Sequence, residues 1–343
     1  MSALLLLLAC GEPKSLDTSS APTDTTESSS ASTTLPNTAT TSTTEAPTTS
    51  TTSSTSTSGT PTTSTTGSTS TTTDVDALEP GITTWIFEQE IDGVWVDRPV
   101  YVQAPVTLDP GARYPVLFSF HGNGGRATPF LSSLEAYVND GRFVGVYPQG
   151  HLESWNTGQV DLTADDVAFM EQILERLSAM EQLDLDRLYA QGFSNGAGMS
   201  HLVGMRSLGF RAIAPQATAL HVGDLPTADT APLAVIQLHG VEDPICPYDG
   251  GRGAGGLDFL PAEESAATWA AHNGCDPVAD EVRTAEGNLR IAYTGCPAGA
   301  EVVHYRLENC GAEGPPAPCM HGWPDTIEGG VQELILEFFE SQG

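Results

Sequence analysis

From about Trp85 onward, short apolar runs alternate with stretches in which apolar residues recur every three or four positions. The runs at 84–89, 94–103, 116–120, 143–147, 188–192, 212–215, 234–239 and 301–307 predict strands. Most are apolar throughout rather than alternating, as in strands covered on both faces by helices. The clearest predicted helix starts at Thr163, whose hydroxyl and Asp166 have the spacing of a capping box. Val167, Met170, Leu174 and Leu177 then mark one buried stripe. A second helix over 331–339 carries Val331, Leu334, Ile335, Phe338 and Phe339 on one face, and 129–139, 196–206 and 262–272 also fit helices. Strand–helix alternation over this length predicts an α/β fold, a doubly wound and mostly parallel sheet with helices on both faces.

The first 80 residues read differently. The run ALLLLLAC from Ala3 to Cys10 is too short to span a bilayer. Leu7-Leu8-Ala9-Cys10 resembles a bacterial lipobox, which implies lipidation of Cys10, although no Lys or Arg precedes the run. From Thr18 to Thr73 the chain is almost wholly Thr, Ser, Pro and Ala. Such a stretch buries too little apolar area to offset its ordering entropy, and it reads as a disordered stalk. The expected organisation is a signal or lipobox segment at 1–17, a linker at 18–80 and the α/β domain at 81–343.

Composition sets the surroundings. The chain of 343 residues has 44 acidic and 13 basic side chains, a formal net charge of −31, and no lysine after Lys14. That surface repels nucleic acid, and it leaves a lipid at Cys10 as the expected route to a membrane. Besides Cys10 the cysteines are Cys246, Cys275, Cys296, Cys310 and Cys319, with no C-x-x-C pair. In an oxidising, extracellular or cell-surface setting, proximity pairs Cys275 with Cys296 and Cys310 with Cys319, leaving Cys246 free.

The chemistry centres on Gly192-Phe193-Ser194-Asn195-Gly196, a G-x-S-x-G string between a predicted strand and a small-residue helix. That context is what a nucleophile elbow needs, with Ser194 at its tip. After the strand at 234–239, Asp243 is the expected acid, with Glu242 its neighbouring rival. His321, on a loop before the last helix, is the expected base. The order Ser, Asp, His is that of α/β-hydrolases. Backbone donors for an oxyanion are expected at Asn195 and at Asn123 in His121-Gly122-Asn123-Gly124-Gly125. Trp155 is a candidate wall of the substrate pocket or a core residue. No metal or cofactor motif stands out; the glycine clusters lack the Lys-Ser/Thr of a phosphate loop.

Taken together, FSFHGNGG, DDVAFMEQIL, LYAQGFSNGAGM, LHGVEDPICPY and HGWP resemble the bacterial secreted esterase family of polyhydroxybutyrate depolymerases and feruloyl or acetylxylan esterases. The resemblance spans about residues 100–339. It implies an α/β-hydrolase with Ser194, Asp243 and His321 as triad, and Trp323 beside the histidine in the substrate site. The chain departs from the family at Asn123, where members often have cysteine, and at Asp325, where H-x-W-P-G has glycine. The implied reaction is serine ester hydrolysis through an acyl-enzyme, on feruloyl or acetyl esters of plant polysaccharide or on hydroxyalkanoate esters. A non-catalytic surface binding module on the same scaffold is the alternative.

Overall fold

The computed structural model describes residues 77–159, 161–311, 317–322, 327 and 330–343. Cys10, the signal segment, the linker as far as residue 76, Trp323 and Asp325 lie outside the described residues. The folded part begins ahead of Gly81, because Leu78, placed in the linker by composition, is buried in the core.

In chain order the strands are β1 (Gly81–Ile91), β2 (Val94–Ala104), β3 (Tyr114–Phe120), β4 (Val144–Pro148), β5 (Leu183–Phe193), β6 (Ala212–Gln216), β7 (Ala234–Gly240), β8 (Gly251–Arg252), β9 (Asp258–Phe259), β10 (Asp280–Arg283), β11 (Leu289–Tyr293) and β12 (Val302–Leu307). The helices are α1 (Pro129–Ser133), α2 (Glu135–Asn139), α3 (Asp166–Ser178), α4 (Asn195–Met205), α5 (Ala262–Asn273) and α6 (Val331–Ser341). Ten strands form one sheet in the order β1-β2-β4-β3-β5-β6-β7-β12-β11-β10, and β8 pairs with β9 apart from it. The middle, from β4 through β3, β5, β6 and β7 to β12, is parallel. Antiparallel pairs close each side. A parallel centre with helical crossovers and an antiparallel start is the α/β-hydrolase fold.

The apolar runs form the centre because both of their faces are covered. All seven residues of β3 are buried. Val116, Phe118 and Phe120 join the layer with Phe169, Met170, Ile173 and Leu177 of α3. Leu117, pointing the other way, joins Ile335, Phe338 and Phe339 of α6.

Several expectations need correction. The stretch 129–139 is two short helices meeting at Leu134, not one. The cap of α3 is Asp165, whose carboxylate accepts the Ala168 N–H; Thr163 donates to Asp92 Oδ2 instead. β10 and β11 carried no apolar run: all of β10 is exposed, and only Ile291 and Ala292 of β11 are buried. Among the described residues no helix is long and apolar enough to cross a membrane.

Asp166, no longer a cap, is one half of a buried ion pair. Its Oδ1 lies 2.6 Å from Arg98 Nη2, with both side chains 1% exposed. Oδ2 accepts the Asn156 N–H at 2.7 Å, and Arg98 Nη2 also donates to the Gln149 carbonyl. Burial pushes the Asp166 carboxyl up, against the opposing pull of Arg98. Removing one partner strands the other, so Asp166→Leu should lower unfolding free energy by about 3–5 kcal/mol in urea titration. Adding Arg98→Met will not restore it, because Asn156 N–H and Gln149 C=O then stay unpaired.

Candidate active site

β5 enters a turn so tight that side chains are excluded on either side of its tip. A Cβ on Gly192 would sit 2.1 Å from the Gly196 carbonyl oxygen, and one on Gly196 would sit 2.2 Å from that of Phe120. Ser194 at the tip has φ 56° and ψ −122°, a sparsely populated conformation costing about 1–3 kcal/mol. Its neighbours hold it there. The Ser194 N–H donates to Gln216 O at 2.9 Å, and its carbonyl accepts from Ala197 N–H, Gly198 N–H and the Thr218 hydroxyl. The chain then runs straight into α4, so Ser194 sits at the positive end of a helix.

The loop after β7 carries Asp243, 5% exposed. Its Oδ1 accepts from Ile245 N–H at 2.8 Å and Cys246 N–H at 2.9 Å. Its Oδ2 lies 2.7 Å from His321 Nδ1. Burial pushes the Asp243 carboxyl up, but hydrogen bonds from His239, His321 and Cys246 N–H overcome this and hold it well below the usual carboxylate range. Glu242, its rival in sequence, is exposed, and its own tie is a backbone N–H to the Cys319 carbonyl. With Asp243 an acceptor, His321 Nδ1 bears the proton and Nε2 keeps its lone pair.

His321 stands on a loop pinned from two sides. Cys310 and Cys319 form a disulfide. Gly240 meets the Cys319 carbonyl so closely that a Cβ there would be 2.3 Å from its oxygen. The His321 ring lies 5.0 Å from the ring of Phe193, the residue before Ser194. The second expected disulfide, Cys275–Cys296, is also present, and Cys246 is free and buried. Burial, with the charge of Asp243, pushes the Cys246 thiol up to about 12 against a bond from Thr218. Iodoacetamide at pH 8 should therefore leave the Cys246 peptide unmodified until the protein is denatured, as read by peptide mass.

Asn195 is the first residue of α4, so its N–H is among those with no acceptor inside the helix. Its side chain clamps a neighbouring loop: Oδ1 accepts from Trp155 N–H at 2.7 Å and the Ser154 hydroxyl at 3.1 Å, while Nδ2 donates to Trp155 O. Asn123 is exposed on the loop after β3; that loop is tied by Gly124 N–H, to Glu153 O in the segment after β4, and by Gly125 N–H, to Gly122 O. His121 supports the same loop. Gly150 N–H donates to its Nε2 at 3.0 Å, so Nδ1 carries the proton and donates to Gly122 O at 2.8 Å.

Trp155 does not wall a pocket. It is fully buried, packs edge-on to Phe120 and donates its indole N–H to the His121 carbonyl. Its bulk fills the core behind the loop after β3, so it acts on that loop from beneath. Among the described residues no group of three or more His, Cys, Asp or Glu side chains is placed to hold a metal ion. The supporting residues His121, Gln149 and the Asn195 amide carried no sequence signal, since each has partners across a long separation.

No family model matches the chain. It is 29% identical over 219 residues to feruloyl esterase B of Piromyces equi, covering 60% of this chain and 40% of that protein's length. It is 29% identical over 252 residues to a probable feruloyl esterase C of Aspergillus terreus, covering 69% of this chain and 82% of that protein. Among solved structures, the acetyl xylan esterase from Aspergillus awamori aligns at 14% identity with a TM-score of 0.49, over 75% of this chain and 99% of that one. Fold and relatives define a carboxylic ester hydrolase of the α/β-hydrolase class. Within that class, the chain is similar to the feruloyl esterases.

Proposed function

We propose that the protein is a serine esterase in which Ser194, His321 and Asp243 act as a triad, with Asn123 and Asn195 backbone N–H groups holding the oxyanion. The observation that carries this reading is the 2.7 Å bond between Asp243 Oδ2 and His321 Nδ1, with the His321 ring against Phe193, the residue before a serine on a strained strand-to-helix turn. His321 Nε2 takes the Ser194 proton as Oγ attacks the ester carbonyl. The negative charge forms on the carbonyl oxygen, facing the two N–H donors. The imidazolium passes its proton to the departing alcohol, leaving an acyl-serine that water, activated by the same ring, hydrolyses to the acid.

The substrate class is feruloyl or acetyl esters on plant polysaccharide, which the names of the relatives support; hydroxyalkanoate esters are the second choice. Two disulfides support an extracellular or cell-surface setting. The linker ahead of the folded part serves as a tether, with a lipid at Cys10 as the anchor, and Trp323 lines the substrate site. A phosphonate ester that traps active serines tests the chemistry on the full chain. The expected result is loss of p-nitrophenyl acetate turnover with one adduct on the Ser194 peptide; an adduct elsewhere, or none, rejects the triad. Faster turnover of methyl ferulate or acetylated xylan than of hydroxybutyrate oligomers supports the substrate class, and the reverse order replaces it with the polyester reading.

A further inference from the structure

Asp243 is met by a second imidazole. His239 stands at the end of β7 with no exposed surface, four residues before the acid. Its Nε2 lies 2.8 Å from the Cys246 carbonyl oxygen. A carbonyl only accepts, so Nε2 carries the proton. The same N–H lies 3.4 Å from Asp243 Oδ2, the oxygen that receives His321. Asp243 therefore faces donors on both oxygens: two backbone N–H groups at Oδ1, and two imidazoles at Oδ2.

The Cys246 peptide is held at both ends by this arrangement. Its N–H donates to Asp243 Oδ1 while its C=O accepts from His239. Rotation of the carboxylate would break the first of these bonds and carry Oδ2 away from both imidazoles. The remaining His239 nitrogen, Nδ1, is buried and has no hydrogen-bond partner among the described residues. A second proton there would be a buried donor without an acceptor. Leaving a ring nitrogen buried and unpaired is destabilising, and an apolar side chain of similar size would avoid it. A polar ring at this place makes physical sense through its other nitrogen, aimed at Cys246 and at the acid. Tyr248 closes the far side of the ring, edge-on with centroids 5.5 Å apart.

We propose that His239 is a positioning residue for the reaction: its Nε2–H fixes the Asp243 carboxylate in the orientation that receives His321. The proposal rests on the triad reading given above. It acts through Asp243, so it bears on the rate of the chemical step and not on substrate binding. A fixed acid holds the His321 ring in the tautomer and plane needed to take a proton from Ser194.

The test compares His239→Gln and His239→Leu in the full chain, with kcat expressed per active site titrated by the phosphonate ester. Glutamine can present an amide N–H near the Nε2 position; leucine cannot. The leucine variant is expected to lose about 10- to 100-fold in kcat at unchanged KM, the range carried by hydrogen-bond partners that orient ligating histidines elsewhere. The glutamine variant is expected to recover most of it. A leucine variant with parental kcat per titrated site overturns the proposal and leaves the triad standing, because the ring would then only support the fold. Equal losses in the two variants overturn it as well. If the leucine protein does not fold, His239→Asn, whose amide stops short of the Nε2 position, takes its place with the same expectation. The parent sets the control: if the phosphonate does not label Ser194 there, the triad itself fails and His239 has no acid to position.

Discussion

Ser194→Ala is expected to reduce ester turnover by about 10⁶-fold, leaving only what binding and the oxyanion donors supply. The alanine protein retains the turn, because the strain belongs to the backbone: the Ser194 N–H still donates to Gln216, and its carbonyl still accepts from α4 and Thr218. It therefore should fold as the parent does, melt at nearly the same temperature, and lose the attacking oxygen alone. Ser194→Gly sharpens the point. Glycine adopts φ 56° without a Cβ penalty, so this variant should be equally inactive yet more stable by about 1 kcal/mol in denaturant titration. A gain in stability with a total loss of activity is what a residue held in strain for chemistry predicts. Turnover by the alanine protein within ten-fold of the parent would falsify the assignment of Ser194 and favour the binding-module alternative.

Asp243→Asn should cost about 10⁴-fold in kcat while sparing the fold. The structure dictates which way the new amide turns. Ile245 and Cys246 N–H groups both donate to Oδ1, so the asparagine carbonyl oxygen takes that place. The NH₂ group then occupies the Oδ2 place, 2.7 Å from His321 Nδ1. Two donors cannot face each other, so the His321 proton moves to Nε2, and the nitrogen that should take the Ser194 proton no longer can. The same NH₂ also confronts the His239 N–H. Glu242→Gln, one position earlier, is the control: its carboxylate is exposed, and turnover should stay within two- to three-fold of the parent. The paired measurement of kcat for the two variants decides between the neighbours, and a larger loss at residue 242 would reverse the assignment.

The parallel centre was legible because its strands are apolar on both faces; β3 is buried at every position, and α6 shows its stripe. The elbow was legible for the same local reason: Gly192, Ser194 and Gly196 stand within five residues, and the close approaches at the two glycines are made by that turn and by β3 beside it. Both disulfides joined cysteines close in sequence, which is why proximity found them. Less was legible where burial and charge disagree with local pattern. Asp166 looked like a cap residue of an exposed helix start, yet Arg98, 68 positions away, draws it into the interior. β10 is the edge strand and exposed throughout, and β11 beside it buries only Ile291 and Ala292, so neither needs an apolar run. Trp155, a candidate pocket wall, is drawn into the core by a hydrogen bond to a carbonyl 34 positions back.

What the chain by itself determined was which segments form the parallel centre and the longer helices beside it, and which residue types stand at the turns between them. These follow from steric and apolar preferences felt within a few residues. Only the tertiary structure decided that Asp243, and not Glu242, meets His321 across 78 positions, and that His239 shares the same carboxylate oxygen. Neither contact has a periodicity to betray it. The orientation of a carboxylate is set by whichever donors the folded loops bring to it, and those donors come from β7, from the turn after it and from a loop near the last helix.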